Sequence, residues 1–492
     1  MKYAFTFLAC GLTLAVVQPL TAQSSAPPVP NVSWGATRSG NVWTSWAPHD
    51  TGAAWADPAL AAGSDRLLTA DEPDFNLFYN PQHGDDQFGN YGEGLGGWMG
   101  AALPNNGSGF QITQPQALVD PTCPDGVGNQ RECYLLIARA LRQSDHASYL
   151  IIGNTHWTGP QESNAWTFHS LNAASYGDAA QDTYVDGLWV GQTSSAVILS
   201  VNLHAWSDRS FKTALVLVIP KVDLYPATAG QPQPVSWWTN FSNADQSPAF
   251  ALVPAVSYSA SPVGYLVNAY DPGKDTARQL TIWTVDGTNL LAPVLQSQTL
   301  PVAAFSVPPN AAQVGTDVQI NTWDAEITNV VLPQPNALWV AQATGCTPDG
   351  DTAQRSCVRW YHIDPVAGRL LQQGTLGYPG AHFYDPAIGA NPNGDMTLAF
   401  SGSATYAAVG VYYSGRRASD PPNTLASFAL LHDGDGCYVR LDHGLNMVGH
   451  RNAVALDLAD HQSMWIMGAF ASGTNSRCES NGWGTWLGRV TW

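Results

Sequence analysis

The stretch HFYDPAIGANPNGDMTLAF, residues 382–400, decides the fold of this chain. It contains an Asp-Pro-Ala phrase, small residues, an Asn-Pro-Asn-Gly turn and a second, more apolar run that is typical of a β-strand. More than three hundred residues upstream, the sequence AWADPALAAGSDRLLTA, residues 54–70, repeats the phrase and its order of features. One phrase written twice at such a distance indicates a repeated structural unit.

Weaker copies of the phrase recur between these two stretches and after them. Equivalent positions, about 58 to 71 residues apart, are Asp57, Pro115, Asp186, Val253, Asp324, Asp385 and Asn452. A turn and a second strand follow each position, usually with one or two further strands. Seven four-stranded units of this length predict a seven-bladed β-propeller, with the phrase on the innermost strand of each blade. Two stacked β-sandwich domains are the alternative, but no Pro/Ser-rich linker divides the chain.

The two ends of the sequence fit such a ring. The last repeat ends with GTWLGRVTW and is one strand short, while NVSWGATRSGNVW, residues 31–43, precedes the first repeat. We therefore expect the N-terminal segment to pair with the last blade and remove an open sheet edge. The predicted fold class is all-β, with residues 23–492 forming one propeller domain. The 19 Trp residues and the low content of charged residues, 12%, agree with this class.

Residues 1–22 have the features of a secretory signal peptide. Lys2 precedes an apolar stretch that runs to Val17, and small residues follow near Ala22. A lipoprotein modified at Cys10 is the alternative, although the apolar run continues past that residue. We predict a secreted or periplasmic protein without a membrane span, because no other stretch is long and apolar enough.

Six cysteines follow the signal peptide, and an even number in an exported protein favours disulfide bonds. CPDGVGNQREC and CTPDGDTAQRSC each place Asp-Gly in a short loop between two cysteines, which favours hairpin-like closure. We therefore predict the pairs Cys123–Cys133 and Cys346–Cys357, and Cys437–Cys478 by elimination. No close Cys or His pairs indicate a zinc site.

The formal net charge of −18, with only 20 Lys and Arg residues, excludes several classes of partner. A nucleic-acid binder needs a basic face, and so does a protein that binds anionic membranes. A local basic pocket for an acidic glycan stays compatible with the charge. The sequence indicates no particular cofactor and no metal site, and we expect a monomer whose partner is a glycan or an extracellular protein.

Three segments carry a resemblance to a known family. VRWYHID, DPAIGANPNGDMTLAFSGSATYAAVGVYYSGR and the terminal WGTWLGRV resemble secreted bacterial β-propellers labelled sialidase-like or BNR-like, whose activity is unknown. The resemblance implies a propeller fold rather than a chemistry. Members often carry Arg-Trp-Gly-Asp-Tyr before the last inner strand, where this chain has GHRNAVALD. The Asp-box and the arginine triad of true sialidases are not recognisable.

Three aspartates occupy equivalent repeat positions, namely Asp57, Asp324 and Asp385. If they converge at one end of the channel, they provide a carboxylate pair for acid–base chemistry or a calcium ring. The structural alternative is that each caps a turn by accepting backbone hydrogen bonds.

His382 and Tyr384 depart from the repeat and are therefore the stronger candidates for catalysis. Together with Arg451, they could abstract and return a proton beside the carboxylate of an acidic sugar, as in a lyase. We expect His382 to be exposed on a loop, and the structural alternative is an ordinary surface residue.

NLHAWSDRS contributes His204, Trp206 and Arg209, which combine stacking surfaces with a cation, a common sugar-binding mixture. Trp323 is a fourth candidate for ligand binding, and loop packing is the alternative for this group. Two functions remain open. One is recognition of an extracellular ligand, foremost a glycan, on the top face. The other is a polysaccharide-active enzyme, lyase or glycoside hydrolase, on the same face.

Overall fold

Short β-strands joined by tight turns make up most of the chain. The computed structural model describes residues 31–34, 43–44, 56–71, 75–79, 88–89, 95–124, 130–155, 166–176, 182–225, 236–442, 444–472, 478 and 482–492. The predicted signal peptide, residues 1–22, lies outside them. The prediction of a mostly β protein is confirmed, and no helix of the described residues is long and apolar enough to cross a membrane.

Two short strands, β1 (Asn31–Trp34) and β2 (Trp43–Thr44), come first. An antiparallel sheet follows with β3 (Ala59–Ala62), β4 (Arg66–Ala70), β5 (Phe75–Tyr79) and β6 (Phe88–Gly89). After helix α1 (Leu95–Met99), the next sheet contains β7 (Gln111–Pro124), β8 (Gln130–Arg142), β9 (Ala147–Thr155) and β10 (Trp166–Asn172). Short 3-10 turns cover Gly100–Ala102, Pro104–Gly107, Gln143–Asp145 and Ala173–Ser175.

A third antiparallel group contains β11 (Thr183–Gln192), β12 (Ala196–Ala205), β13 (Phe211–Pro220) and β14 (Ser236–Trp238), with helix α2 (Lys221–Leu224) between the last two. A fourth contains β15 (Val253–Pro254), β17 (Val263–Ala269), β18 (Ala277–Asp286) and β19 (Val294–Phe305). Between β15 and β17, β16 (Val256–Ser257) leaves this sheet and pairs in parallel with β11.

The hairpin β20 (Ala311–Gln313) and β21 (Thr316–Ile320) precedes a fifth group, β22 (Ile327–Gln334), β23 (Ala337–Cys346), β24 (Arg355–Asp364) and β25 (Arg369–Leu376). Strand β16 also pairs with β22, so the third and fifth groups share one nine-stranded sheet. A sixth group has β26 (Ala381–Ala390), β27 (Met396–Ala404), β28 (Ala407–Arg416) and β29 (Ala429–His432).

The small hairpin β30 (Leu441–Asp442) and β31 (Leu445–Asn446) leads into the last sheet, which contains β32 (Ala453–Leu456), β33 (Met464–Ala471) and β34 (Trp483–Thr491). Both N-terminal strands pair antiparallel with β34, Asn31 opposite Thr491 and Trp43 opposite Thr485. The N-terminal and C-terminal segments of the described chain therefore meet in one sheet.

The first strands of these groups follow one another around a narrow channel. β3 contacts β7, β7 contacts β11, β11 contacts β15, β15 contacts β22, β22 contacts β26, β26 contacts β32, and β32 contacts β3. A cavity of about 80 Å³ runs along them and is lined by one or more residues of each, among them Ala59, Ala117, Val190, Val253, Val331, Ala390 and Ala455. Small and branched side chains fit where the strands approach one another. The blade count of seven and closure by the N-terminal strand stay predictions.

The repeated phrase corresponds to a local backbone feature at the start of these strands. Near five of the repeat positions one residue has a positive φ, at Gln114, Gly187, Ala251, Trp323 and Asp385. The register shifts at three of these sites, next to Thr113, Asp186 and Tyr384. Such bulges bend a strand and redirect the side chains beside them, which suits the rim of a binding site.

Turns with specific chemistry connect the strands, and the turn between β26 and β27 shows how. The side-chain oxygen of Asn391 accepts hydrogen bonds from the backbone N–H groups of Asn393 and Asp395, both at 3.0 Å. Gly394 takes φ +89°, a conformation that L side chains rarely adopt. The Asn-Pro-Asn-Gly sequence thereby sets the register of this hairpin.

The hydrophobic core lies between neighbouring sheets rather than in one central mass. Between the second and third groups, for example, Leu135 and Ile152 pack in one cluster with Val190 and Leu199, and all four are buried. Each fully buried Leu, Ile or Val stabilises the fold by roughly 1.5–3 kcal/mol relative to an exposed one.

Three disulfide bonds join Cys123 to Cys133, Cys346 to Cys357 and Cys437 to Cys478. The predicted pairing is confirmed. The third bond closes a longer loop than the others, with a sequence separation of 41 between its cysteines.

Candidate functional site

A cavity of about 460 Å³ lies at one end of the channel and shares Trp189, Thr328 and Arg451 with it. This volume falls in the range of small-molecule and saccharide sites. Strand entries and loops of the second, third, fourth, fifth and last sheets form its wall. Its polar lining comprises Gln114, Asp186, Asn202, His204, Ser247, Asp271, Asp324, Glu326, Thr328, His450 and Arg451, and its aromatic lining comprises Trp189, Phe211, Phe250 and Trp323.

Glu326, one residue before β22, is the most perturbed acid of the cavity. Its pKa is raised well above the ordinary value because the surrounding protein desolvates the carboxylate. Asp324 and Asp186 add to the rise by repulsion, while Arg451 opposes it. Glu326 therefore holds its proton to a higher pH than an ordinary glutamate and can donate it inside the cavity.

Asp324 shares this wall, with its side chain reaching the solvent of the cavity. Its carboxylate accepts a hydrogen bond from the backbone N–H of Glu326 at 2.8 Å, as expected for an aspartate that caps a turn. Desolvation raises the pKa of Asp324, and the nearby charge of Asp271 adds to the effect.

Asp186 faces the same cavity, but its pKa is shifted in the opposite direction to that of Glu326. The guanidinium of Arg139 donates a 2.6 Å hydrogen bond to its carboxylate. Burial alone would raise the pKa of Asp186, but Arg139, His204 and His450 outweigh it, so the pKa is lowered. One cavity thus holds a carboxyl group whose pKa is raised and another whose pKa is lowered, which is the arrangement that divides acid and base roles between two groups.

His450 forms a dyad with Asp57. Nδ1 of His450 lies 2.9 and 2.8 Å from the two oxygens of Asp57, and the backbone N–H of His450 donates to the same carboxylate at 2.7 Å. Asp57 is fully buried, and its pKa is lowered because His450 and Arg451 outweigh the effect of burial. A carboxylate at Nδ1 fixes the ring orientation of His450.

Trp323 covers this dyad from the side. Its ring stacks on His450 with centroids 4.0 Å apart, and its Nε1 donates to the backbone oxygen of Gly449 at 3.1 Å. Trp323 itself has φ +60°, and the side chain of Asn321 accepts its backbone N–H at 2.8 Å. A bulky residue in this backbone region costs free energy, so the surrounding contacts hold a strained conformation at the cavity wall.

Arg451 forms the floor between the cavity and the channel. It donates to the backbone oxygen of Leu188 at 2.8 Å and lies over the ring of Trp189, 6.0 Å from the ring centroid. Burial lowers the pKa of Arg451, while Asp57 and Glu326 oppose the change. These two carboxyl groups therefore compensate the positive charge of Arg451.

The structure brings several residues predicted from sequence to this cavity. Asp324, Trp323, Arg451 and His204 line it, and Asp57 lies directly behind His450. Asp385 is buried behind the wall, close enough that the charge of Asp57 adds to the desolvation that raises its pKa well above the ordinary value. The roles of these residues stay predictions.

His382 and Tyr384 do not line the cavity. His382 lies within β26 and is 5% exposed, which differs from the exposed loop position expected from sequence. Its Nδ1 accepts the backbone N–H of Ser356 at 3.2 Å, and burial next to Arg355 lowers its pKa to about 4. Tyr384 is fully buried and donates to the hydroxyl of Ser403 at 3.1 Å, and burial raises its pKa.

Trp206 and Arg209 lie on the loop between β12 and β13, outside the cavity. Trp206 is half-buried, and Arg209 is exposed with φ +60°. The backbone oxygen of Arg209 lies 2.8 Å from Nδ1 of His204 and so orients that ring at the cavity edge.

The sequence did not single out the two carboxyl groups whose pKa values are shifted in opposite directions, Asp186 and Glu326. Asp186 was counted among the repeat positions but not as a candidate, and Glu326 follows Asp324 by two residues in WDAEITNVV. Asp186 lies beside a bulge in β11 and Glu326 directly precedes β22, and their convergence on one cavity depends on which strands become neighbours. Among the residues that the structure describes, no group of three or more His, Cys, Asp or Glu side chains is arranged to hold a metal ion.

No protein-family model matches this chain, and no curated protein matches it. Among solved structures, a protein of unknown function from Dyadobacter fermentans is 10% identical with a TM-score of 0.40, covering 88% of this chain and 94% of its own. The GH93 α-L-arabinofuranosidase of Fusarium graminearum is 10% identical with a TM-score of 0.39, covering 88% and 93%. The endosialidase of phage phi92 is 9% identical with a TM-score of 0.43, covering 73% and 65%.

Proposed function

We propose that residues 23–492 form one seven-bladed β-propeller whose last blade is completed by the N-terminal strand. Two observations support the proposal. The first strands of successive sheets contact one another in a closed order. Strand β1 pairs with β34 at the edge that would otherwise be open.

We propose that the cavity at the channel end binds and hydrolyses a neutral glycan. The single observation that carries this proposal is the opposition between Glu326, whose pKa is raised, and Asp186, whose pKa is lowered, within one cavity wall. Glycoside hydrolysis requires a carboxylic acid and a carboxylate on either side of the scissile bond. A lyase acting on an acidic sugar, with His382 as its base, has less support because His382 lies outside the cavity.

Each group has a definite role in this proposal. Glu326 protonates the glycosidic oxygen as the bond to the leaving sugar breaks. Asp186 either activates a water molecule or attacks the anomeric carbon, and Arg139 holds its carboxylate in place. Arg451 stabilises the negative charge that Glu326 acquires after the proton is transferred. Trp323 and Phe250 offer aromatic faces on which the C–H face of a sugar can stack.

The charge of the lining supports a neutral rather than an acidic sugar. Four carboxyl groups, Asp186, Asp271, Asp324 and Glu326, face the cavity, and Arg451 is the lining's only Lys or Arg side chain among the described residues. A uronic or sialic acid would meet repulsion from this wall. Hydroxyl groups can instead donate hydrogen bonds to carboxylates, which are good acceptors.

The variant Glu326→Gln tests this proposal. We expect the rate at which the protein hydrolyses a neutral polysaccharide that the wild type cleaves to fall about 10²–10⁴-fold, which is the usual contribution of general-acid catalysis. Binding of the same glycan should persist, because glutamine keeps the shape of the side chain. Asp349→Asn, an exposed carboxyl-to-amide change on the loop after β23, is the matched control. Full activity of Glu326→Gln on a glycan that the wild type cleaves would refute the assignment.

Recognition without cleavage is the second candidate. It is favoured by an aromatic surface that continues from the cavity onto the outer loop, beyond any reacting group. Wild-type protein that binds a glycan but releases no reducing ends from it would establish this function and exclude hydrolysis.

We also propose that the protein works outside the cytoplasm as a monomer. The N-terminal sequence and the three disulfide bonds support export, because such bonds persist in oxidising compartments. Mass measured by light scattering, and the location of the mature chain after cell fractionation, test these two points.

A further inference from the structure

A row of aromatic rings leads out of the cavity onto the loop between β12 and β13. We call it the aromatic strip, and it consists, from the cavity outward, of Phe250, Phe211, His204, Tyr184, Trp206 and His146. Neighbouring ring centroids lie 6.2, 5.8, 5.9, 4.7 and 4.9 Å apart along this order. The first three rings line the cavity, and the last three lie beyond it.

The outer end of the strip is accessible to solvent. The side chain of His146 is 48% exposed, and Tyr184 and Trp206 are half-buried. His146 and Trp206 are stacked, with an angle of 9° between their planes, so each ring fixes the orientation of the other. Rings of this kind bury large areas against the apolar face of a sugar at a low entropic cost.

Contacts within the protein fix the strip before any ligand arrives. Nδ1 of His146 lies 2.6 Å from the carboxylate of Asp182, whose backbone oxygen accepts the N–H of Trp206 at 3.1 Å. Asp208 accepts the backbone N–H of Ser210 at 3.0 Å and its hydroxyl at 2.6 Å, which closes the turn of the loop. A preorganised surface loses little entropy on binding.

We infer that the aromatic strip is a run of binding subsites for further sugars of the same neutral glycan, so that the ligand is a polysaccharide rather than a disaccharide. This inference rests on the proposed function of the cavity. The strip is continuous with the cavity wall, and the carboxylates of Asp182, beside His146, and of Asp186, in the cavity, can accept hydrogen bonds from sugar hydroxyl groups. A purely apolar protein partner would bury these carboxylates and offer them no hydrogen bond beyond those that they already form within the protein, as with His146 and Arg139.

A ligand that spans cavity and strip gains contacts as its chain lengthens. Affinity should therefore rise with the number of sugars until the chain reaches Trp206 and His146. Removing Trp206 should penalise long chains more than short ones. A purely structural role of Trp206 would instead lower affinity for all lengths alike.

The experiment measures binding by calorimetry in the Glu326→Gln background, so that no ligand is cleaved. The probes are neutral oligosaccharides of two to eight sugars from arabinan, xylan, cellulose and mannan. We expect Trp206→Ala to reduce the affinity for six to eight sugars about ten-fold, and to reduce it less for two sugars. Trp206→Phe should recover most of the loss. Trp237→Ala is the matched control, since Trp237 is an exposed tryptophan on the outer strand of the same sheet.

Four other outcomes are decisive. Equal loss at every chain length, or no effect of Trp206→Ala, would overturn the strip as a set of subsites. No binding of any neutral oligosaccharide to the Glu326→Gln variant would overturn it as well. Length-dependent binding together with a wild-type protein that cleaves nothing would refute the hydrolase but support the strip.

Discussion

Two regions of the molecule combine a histidine, an arginine and an aspartate, yet they differ in what these groups can do. At the cavity, His450 is bonded through Nδ1 to the buried carboxylate of Asp57, and its ring reaches the cavity. Arg451 lies close enough to help lower the pKa of Asp57. His450 therefore has the carboxylate of Asp57 on one side of its ring and the cavity on another.

The second region lies between the fifth and sixth sheets. Here the carboxylate of Asp351 accepts a 2.7 Å hydrogen bond from Nε of Arg355. The carboxylate is therefore hydrogen-bonded to the arginine rather than to the histidine. His382 accepts a backbone N–H from Ser356 and has the cation of Arg355 beside it. Burial and that cation keep His382 neutral, with a pKa lowered to about 4. Similar residue types thus make a polar site in one place and a structural contact in the other, because the carboxylate has a different partner.

Between these two regions, the largest expected effect comes from removing the anion of the first. Asp57→Asn should reduce turnover of a glycan that the wild type cleaves by about 100-fold. His450 would lose the group that orients its ring in the cavity it shares with Asp186, whose pKa His450 helps to lower, and orientation effects of this kind are large. Steady-state kinetics would measure the loss, and circular dichroism would confirm the fold. Activity equal to wild type would remove the dyad from the site.

The second effect concerns stability rather than activity. His382→Ala should lower the free energy of unfolding by about 2 kcal/mol, because the backbone N–H of Ser356 loses its acceptor in a buried place. Turnover should stay unchanged, the reverse of the outcome expected if His382 were catalytic. Urea unfolding and kinetics test both halves. His461→Ala, at an exposed turn, is the control.

The third prediction concerns the pH dependence of kcat/KM, which depends on the ionisable groups of the cavity. We expect kcat/KM to fall at high pH as Glu326 loses its proton, and at low pH as Asp186 gains one. Asp324→Asn removes a negative charge that raises the pKa of Glu326. The alkaline limb should therefore move to lower pH, while Asp349→Asn should leave it in place. A limb that does not move would show that another group controls it.

The smallest expected effect is a change in the free energy of unfolding with pH. His362, stacked on Trp339 at 4.0 Å, has a pKa lowered to about 4 by burial and by Arg416. An unfolded histidine takes up a proton near pH 6.5, so the contribution of His362 to stability is complete above that pH and is lost as the pH falls toward 4. The carboxyls with raised pKa act in the opposite direction. The difference between wild type and His362→Phe in thermal melts from pH 7.5 to 4.5 isolates the histidine, and parallel profiles would contradict the assignment.

Much of the architecture could be predicted from local signals. Asp-Pro-Ala and its relatives mark a bulge at the start of a strand, and Asn-Pro-Asn-Gly marks a hairpin. Both are properties of a few adjacent residues. The disulfide pairs were predictable for the same reason, since two of them close short loops around Asp-Gly.

The candidate site was predictable only in part. Asp324, Trp323, Arg451 and His204 stand at strand entries or in loops on the predicted face, and they do line the cavity. His382 also stands at a strand entry but packs against the neighbouring sheet, where it accepts the backbone N–H of Ser356. Side chains alternate along a strand, so a shift of one residue changes the face that a side chain occupies. A single-residue shift of this kind is not visible in composition or spacing.

The sequence by itself determined the strands, the turns, the repeat and the disulfide pairs, because each depends on residues that are close along the chain or on a period that can be counted. Only the tertiary structure decided which ionisable groups share a cavity. Asp186 and Glu326 are 140 positions apart, and the pKa of each depends on neighbours contributed by other sheets, namely Arg139, Arg451 and His450. Desolvation and charge are set by distance in space, and the order of residues along the chain does not contain that distance.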